Sequence, residues 1–384
     1  MHRWHVVLKR RADVFPPRVN LLVLVDDLVG LQTENRGILS TFEPGHEPPH
    51  GCLPGDFHMS AVPYRSQPSL LQRSYAHGCV DTDIPGWSLH CVQTTSGVLN
   101  GGARELHASG VQVLEEHYRH VATNHYGVAL PDSIGFVIPL QMQQEGMFNG
   151  DAWRVGTICL WNTNREFNAI TPPADILCVM VDRGLLVEHI AQTEQIDLEP
   201  ELLRASLVFR TRGVPGLAAQ RLSELVAAGF GPDWDATTPA ARQAIRQEVL
   251  ETLAPIVVEQ LDGRHEHHCH FKHMTIVRRA REVALAHPDT PLQVQDLCRA
   301  LGLSRRTLQD GFRAVLGIGP LWYLRTLRLD GARRSLLAGS SVQQVAETWG
   351  FWHWSRFSRD YRRLFGELPS VTLRRATSSG GGIS

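Results

Sequence analysis

The chain has 384 residues, of which 43% are hydrophobic and 20% are charged, with a formal net charge of −1. This composition is ordinary for a soluble protein with room for two domains. No run approaches the roughly 18 apolar residues that would cross a bilayer, which excludes a membrane-spanning protein. The seven cysteines include no C-x-x-C pair and are typical of reduced thiols in a cytoplasm.

Residues 1–66 are rich in proline, glycine and histidine and have little hydrophobic periodicity. This pattern predicts a poorly ordered N-terminal extension. Its apolar run, Leu21 to Val25, stops at Asp26 and is too short for a signal peptide. Met59 lies just before the more regular sequence, so a translation start there is an open hypothesis.

From about residue 67 the sequence changes to short β-like runs, which indicate a sandwich or a barrel. Turn sequences such as Asn100-Gly101-Gly102 and Asn149-Gly150-Asp151 separate them. The candidate strands are Ser88 to Thr94, Gly102 to Leu106, Val111 to Tyr118, Gly135 to Leu140, Val155 to Trp161, and Leu177 to Val181.

Residues 183 to about 262 have helical apolar spacing, including Leu202 to Val208. The last apolar stripe runs from Thr238 to Leu261. It either packs inside its own subunit or forms a dimer interface, and the sequence alone leaves both possibilities open.

Two clusters carry metal-ligand residue types. The first, Glu115 to His120 with His125, lacks the usual order of two histidines followed by a glutamate. The second is the His-rich segment 263–273, in which Cys269 and neighbouring histidines could bind zinc or copper. The other interpretation of this segment is a polar interdomain linker. We predict no metal at either place.

The C-terminal part contains a repeat. Val294–Gly302 matches Val342–Gly350 at an offset of 48 residues, and the residues that follow match at an offset of 49. Each copy predicts a short helix, a glycine-containing turn and a longer helix, which is the helix-turn-helix geometry. The units span about 294–317 and 342–366. The apolar stripe after Pro320 predicts a connecting helix of about 18 residues and about 27 Å.

The predicted exposed faces of the two longer helices carry side chains suited to base edges, since Arg and Gln hydrogen-bond guanine and adenine. The segment from Met274 onward has 17 arginines, no lysine and 8 acidic residues, a net charge of +9, and the remainder carries −10. This split indicates a basic DNA-binding domain attached to an acidic domain. The predicted DNA-binding residues are Arg305, Arg306, Gln309, Trp354, Ser355, Arg356 and Arg359. A second set is predicted to contact phosphate or to hold the fold: Arg313, Arg325, Arg328, Arg362 and Arg363.

Residues 274–376 resemble the DNA-binding domain of AraC/XylS-type transcriptional regulators. Trp349 to His353 and Leu364 to Pro369 resemble the branch that contains the ethanolamine-operon regulator. Three features depart from the family pattern: Gly311 and Gly331 inside predicted helices, and Trp352 to Trp354 in place of small polar residues. The positions that carry the resemblance are Ser304 to Leu308, Phe312-Arg313, Gly317, Pro320, Tyr323-Leu324, Arg328-Leu329, Ala332, Leu336-Leu337, Ala346, Gly350-Phe351, Phe357, Tyr361-Arg362, Phe365-Gly366 and Pro369.

The resemblance implies an α+β multidomain protein. Residues 67–262 would form a cupin-like jelly roll with helices that binds a small-molecule effector and can dimerise, and residues 377–384 would be a flexible tail. The implied function is a cytoplasmic transcriptional activator that binds double-stranded DNA and RNA polymerase, without a cofactor, catalytic residues or enzyme activity. The effector-binding residues stay undetermined. The alternatives are a metal-dependent cupin-type enzyme with an attached DNA-binding domain and a metal-responsive regulator that uses the His-rich segment.

Overall fold

The computed structural model describes residues 70–76, 84, 86–195, 207–210, 214–231, 238–262 and 271–379. The expected N-terminal extension, residues 263–270 of the His-rich segment and residues 380–384 lie outside the described residues. None of the described helices is both long and apolar enough to cross a membrane.

The described N-terminal strands form two antiparallel sheets. The seven-stranded sheet has the order β1-β3-β4-β11-β6-β9-β12, and the five-stranded sheet has the order β2-β5-β10-β7-β8. The strands are β1 (Leu70–Ala76), β2 (Ser88–Gln93), β3 (Asn100–Ala108), β4 (Val111–Arg119), β5 (Thr123–Val128), β6 (Ser133–Met142), β7 (Gly146–Phe148), β8 (Asp151–Trp153), β9 (Thr157–Asn162), β10 (Phe167–Thr171), β11 (Ala174–Asp182) and β12 (Leu207–Arg210).

Both faces of the seven-stranded sheet are buried. On β11, Cys178 and Met180 point into an inner core shared with the five-stranded sheet. Leu177, Val179 and Val181 point the other way, into a core shared with helices. Because successive side chains alternate between the faces of a strand, β11 has the near-continuous hydrophobic sequence of a strand buried on both sides.

Three helices cover the outer face of the seven-stranded sheet: α1 (Arg183–Glu194), α2 (Val214–Gly229) and α3 (Pro239–Asp262). In α3, Ile245, Val249 and Leu253 are fully buried in the core against this sheet. The apolar stripe from Thr238 to Leu261 therefore packs against the sheet of its own chain, which is the first of the two possibilities.

The helical prediction for Leu202 to Val208 is wrong at its end. Residues Leu207–Arg210 form β12, which pairs antiparallel with β9 at the edge of the seven-stranded sheet. Pairing with a strand that is distant in sequence outweighs the local helical spacing, because strand preference depends on cross-strand neighbours.

The C-terminal part is helical. Helix α4 begins at Phe271, three residues before the expected domain start, and the last helix continues to Ser379, inside the expected tail. The connecting helix has 18 residues, as predicted. The helices are α4 (Phe271–Ala286), α5 (Val294–Leu301), α6 (Arg305–Leu316), α7 (Pro320–Leu337), α8 (Val342–Thr348), α9 (Trp354–Phe365) and α10 (Pro369–Ser379).

The two helix-turn-helix units have separate hydrophobic cores. The first core joins α4, α5, α6 and the N-terminal half of α7. The second joins the C-terminal half of α7 with α8 and α9. The described residues all belong to one compact unit, in which the first core also contains Val92 and Tyr126 from the five-stranded sheet. The arrangement of the two units therefore depends on α7 and on contacts outside their cores.

Candidate nucleic-acid interface

Helix α6 is the longer helix of the first unit, which the sequence predicts to be the recognition helix. Ser304 caps its N-terminus by accepting a hydrogen bond of 3.1 Å from the Thr307 backbone N–H. Gly317 ends the helix in the left-handed conformation with a φ of 67°. The apolar stripe that includes Leu308 and Phe312 is buried. The opposite face therefore presents the exposed side chains of Arg305, Arg306 and Gln309.

Helix α9 is the longer helix of the second unit and the second predicted recognition helix. It buries the apolar stripe that includes Phe357 and Tyr361 and ends at Gly366 in the left-handed conformation. Its N-cap, His353, makes no side-chain capping bond. The remaining face exposes Trp354, Ser355, Arg356 and Arg359, and Trp354 is 50% exposed.

The arginines in the first turns of α6 and α9 form only weak, exposed ion pairs. The Arg306 side chain is 92% exposed and lies 3.6 Å from Asp310. The Arg356 side chain is 68% exposed and lies 4.0 Å from Asp360. Exposed ion pairs of this kind contribute about 0–1 kcal/mol, so either guanidinium can exchange its carboxylate for an acceptor on DNA.

The second arginine set divides into two groups. Arg328 donates to the backbone carbonyl oxygens of Trp349, at 3.0 Å from Nε, and Gly350, at 2.7 Å, and stacks over Phe351 at 4.6 Å. Arg325 forms an ion pair with Asp360. These two side chains hold the fold of the second unit. The other three, Arg313, Arg362 and Arg363, are exposed and available to phosphate.

Neighbouring arginines create a positive field in this region. Burial, and then the positive charges of Arg356 and Arg363, lower the pKa of Arg325 below its ordinary value. Burial and the charge of Arg325 likewise lower the pKa of Arg328. A field that disfavours further positive charge favours the approach of phosphate.

A cleft of about 490 Å³ lies between the two units, next to the second recognition helix. Its floor includes Leu324 and Phe357, and its rim includes Arg325, Trp352 and Arg356. Trp352 is 64% exposed. The cleft therefore adjoins the surface that carries Arg356, one of the predicted DNA-binding residues.

One of the departures from the family pattern, Gly331, is explained by its packing against Trp349. A Cβ at Gly331 in α7 would lie 2.0 Å from the Trp349 ring. Glycine therefore makes room for the indole, whose Nε1 donates to the Ser335 hydroxyl at 3.1 Å. Gly311 packs against Ile276, where a Cβ would lie 3.2 Å from the nearest side-chain atom. At Gly331 the helix cost of glycine, about 1 kcal/mol, is offset by the close packing against Trp349.

Glu367 joins three helical segments just after α9. Its carboxylate accepts hydrogen bonds from Thr372 at 2.7 Å, Arg375 at 2.8 Å and Arg333 at 3.1 Å. Burial raises its pKa, but the bonds from Arg375 and Thr372 and the charge of Arg333 outweigh burial and bring the pKa to about 2.

We expect Glu367→Gln to lower the free energy of unfolding at neutral pH by an amount that disappears in acid. The folded pKa of about 2 is below the ordinary 4.5, so the stabilisation is complete above pH 4.5 and is lost as the pH falls toward 2. Urea unfolding of wild type and variant at neutral pH and stepwise below pH 4.5 measures this difference. A difference that does not change with pH would show that the carboxylate charge is not the cause.

The His and Glu side chains on β4 are engaged with other residues. Glu115 forms an ion pair with Arg104, and His117 Nδ1 lies 2.9 Å from Asp175. Glu116 accepts a hydrogen bond of 2.6 Å from Tyr118. Within the part of the chain that the structure describes, no group of three or more His, Cys, Asp or Glu side chains could hold a metal ion. Most of the His-rich segment lies outside that part.

The inner core of the β domain contains polar groups as well as aromatic rings. His125 lies 2.7 Å from the Thr123 hydroxyl, and burial lowers its pKa to about 4, so the ring is neutral at physiological pH. The buried Trp161 Nε1 has no hydrogen-bond partner among the described residues. The expectation of reduced thiols is wrong for Cys91, which belongs to a disulfide bond, whereas Cys159 and Cys178 in this core are free.

Comparison with known proteins agrees with this geometry. A family described as a helix-turn-helix domain matches residues 297–375. The probable thc operon regulatory protein of Rhodococcus erythropolis is 41% identical over 103 residues, which are 26% of this chain and 31% of that protein. The XylDLEGF operon transcriptional activator of Pseudomonas putida is 36% identical over 87 residues, or 22% of this chain and 27% of that protein. These matches span less than a third of either relative's length.

One solved structure also has a similar sequence. It is a transcriptional regulator from Chromobacterium violaceum, described as containing an AraC-type DNA-binding domain. It is 30% identical, and the match covers 27% of this chain and 93% of that chain, with a TM-score of 0.26. The similarity to the ethanolamine-operon branch stays a prediction. The comparisons thus show a helix-turn-helix domain in the C-terminal part of the chain, similar to that of AraC/XylS-type regulators.

Proposed function

We propose that this protein is a sequence-specific transcriptional activator whose two recognition helices, α6 and α9, enter successive major grooves of DNA. The observation that carries the proposal is the repeated pair of helices that bury matching apolar stripes and expose guanidinium groups on the other face. We infer that Arg306, Gln309, Arg356 and Arg359 contact bases, with Arg305, Ser355 and Trp354 beside them.

We propose further that the β domain binds a small-molecule effector in the polar and aromatic inner core, and that the protein is not an enzyme. Cytoplasmic location, contact with RNA polymerase and a homodimer are parts of the same proposal. A thermal-shift screen tests effector binding. A compound that raises the melting temperature without being consumed would support the proposal. Turnover of such a compound together with bound metal would favour a cupin-type enzyme instead.

The metal-responsive alternative rests on the composition of the His-rich segment. Zinc titration of the tag-free protein, followed by elemental analysis, separates it from the effector-binding proposal. Stoichiometric zinc that changes DNA affinity would favour the metal-responsive alternative, and metal at background level would exclude it.

DNA binding is tested with the full chain and a library of random duplexes. We expect selection of a common sequence with two half-sites. The logarithm of the affinity should fall linearly with the logarithm of the salt concentration, because phosphate contacts release counterions. A folded protein with no salt-sensitive affinity for any duplex would overturn the proposed function.

Arg356→Ala is expected to weaken binding to the selected duplex by about 1–3 kcal/mol and to relax specificity at one position. The exposed Arg363, which we assign to phosphate, provides the comparison. Arg363→Ala should weaken binding to selected and scrambled duplexes alike and reduce the salt dependence. Fluorescence anisotropy on both duplexes measures the two variants, and equal losses for Arg356→Ala on both would contradict its role in base contact.

A further inference from the structure

Three strands of the five-stranded sheet, β2, β5 and β10, are covered on both faces. We call these strands the shared wall, because one face packs in the inner core of the β domain and the other packs against the first helix-turn-helix unit. Alternate side chains point to opposite faces of a strand. On β5, His125 points inward and packs edge-on against Tyr118, with ring centroids 4.9 Å apart. Its neighbour Tyr126 points outward into the core of the first helix-turn-helix unit. On β2, Cys91 belongs to the inner core and Val92 to that unit.

The outer face of the shared wall holds the first unit through polar contacts. The Arg281 guanidinium of α4 lies 3.6 Å from the centre of the Tyr126 ring and forms an ion pair with Glu166, which immediately precedes β10. The buried Tyr323 hydroxyl of α7 donates to Asn124 Oδ1 at 3.2 Å. These contacts connect β5 with both α4 and α7.

The end of β2 and the turn after it hold the second unit. The buried Gln93 Nε2 donates to the Leu364 carbonyl oxygen in the last turn of α9 at 2.7 Å. The Gly97 backbone N–H donates to the same oxygen at 2.9 Å. The last four carbonyl groups of a helix have no partner inside the helix. The β domain therefore supplies the hydrogen bonds that satisfy one of these groups in α9.

The same turn also contacts the helix that connects the two units. Trp322 of α7 donates from Nε1 to the Thr94 carbonyl oxygen at 2.9 Å. The two units have separate hydrophobic cores, so one wall that contacts both restricts how far they can rotate relative to each other.

The contacts lie behind the recognition surfaces. Each of the seven predicted DNA-binding residues is exposed while the shared wall is in place. The wall contacts α9 at its C-terminal end, whereas Arg356 and Arg359 lie in its first two turns. The β domain thus leaves the predicted DNA-binding surface open. Its contacts support the helical domain and do not block that surface.

We propose that Gln93 is a positioning residue for DNA binding: it fixes α9 relative to α6, so that both recognition helices engage one duplex. The inner face of the same wall belongs to the proposed effector site, so an effector would act on this placement through β2 and β5. This inference rests on the proposed function. It concerns simultaneous binding of two half-sites, and the affinity of one unit for its own half-site should not depend on Gln93.

The test compares two duplexes bound by the full chain. The first is the duplex that the wild-type protein selects from a random library. The second is the same duplex with the half-site of α9 scrambled. That half-site is identified as the one where Arg356→Ala relaxes specificity. Gln93→Glu keeps the side-chain shape but replaces the N–H donors with a carboxylate that faces the Leu364 carbonyl oxygen. The matched control is Gln144→Glu, which makes the same charge change at an exposed position of the same domain.

We expect Gln93→Glu to bind the two-site duplex about tenfold more weakly, within the usual range for coupling between sites, and to match wild type on the one-site duplex. Gln144→Glu should match wild type on both. Wild-type affinity of Gln93→Glu for the two-site duplex, or an equal loss on both duplexes, would overturn the inference. If circular dichroism shows that Gln93→Glu is unfolded, Trp322→Phe, which keeps a ring but loses the donor to Thr94, must show the same split.

The proposed function can fail separately from this inference. If the wild-type chain selects no duplex, DNA binding itself is refuted. If it selects a duplex with two half-sites and folded Gln93→Glu binds that duplex as wild type does, only the bracing role is refuted.

Discussion

Gly350→Ala is expected to lower the free energy of unfolding by about 3 kcal/mol or more, the sum of left-handed backbone strain and displaced packing. Gly350 has a φ of 65°, and a Cβ there would lie 2.0 Å from the Asp289 carbonyl oxygen and 2.6 Å from the carbonyl carbon. Both atoms are backbone, so no side-chain rotation can relieve the clash. Asp289 lies between α4 and α5, so the clash would separate the second unit from the first.

The repeat supplies a matched control. Gly302 occupies the equivalent position in the first unit, has a φ of 66° and has nothing within 4 Å of an added Cβ. Gly302→Ala should therefore show the backbone cost alone, about 1–2 kcal/mol. Urea unfolding of both variants isolates the contact with Asp289, and equal losses would show that the second unit can shift without cost.

The helical C-terminal domain could be predicted from the sequence because its signals are local. The stripe from Leu308 to Phe312 and its repeat from Phe357 to Tyr361 define buried faces, and exposed faces follow from them. The capping residue Ser304 is likewise a local signal. Seven predicted DNA-binding side chains are exposed on the recognition helices for this reason, while their contacts with DNA stay a prediction.

The β domain was harder to predict because its polar residues lie inside. In β5, Thr123, Asn124 and His125 are all buried, since one face meets the inner core and the other meets the DNA-binding domain. In β10, Asn168 is also buried and binds Asn124 at 2.9 Å. A strand with hydrogen-bonded polar groups on covered faces shows neither the alternation of an exposed sheet nor a continuous apolar run, so β5 and β10 were not predicted.

Contacts between the two domains could not be predicted from the local sequence. Gln93 and Leu364 are 271 residues apart, and Arg281 and Glu166 are 115 residues apart. Arg281 lies among other arginines on α4 and has no local feature that distinguishes it as buried. These pairs form only once both domains have folded, so the sequence could supply the recognition faces but not the contacts that place them.

Arg281→Met is expected to lower the free energy of unfolding by about 3 kcal/mol, the lower end of the range for breaking one side of a buried ion pair. The Arg281 side chain is 6% exposed and that of Glu166 is 24% exposed. Methionine keeps much of the side-chain volume over Tyr126 but leaves the Glu166 carboxylate without its cation. Because Glu166 keeps some contact with water, the cost stays below that of a fully buried charge.

Arg278→Met on the same helix is the matched control. Its guanidinium pairs with Glu282 one turn away, and the two side chains are 47% and 53% exposed, so its removal should cost about 0–1 kcal/mol. Urea is the denaturant of choice because it does not screen charges. Adding Glu166→Gln to Arg281→Met should recover part of the loss, since an amide is less costly to leave without a cation than a carboxylate. If Arg281→Met and Arg278→Met lose the same amount of free energy, the ion pair with Glu166 does not stabilise the contact between the two domains, which then rests on the apolar contacts of Val92 and Tyr126 and on the interdomain hydrogen bonds.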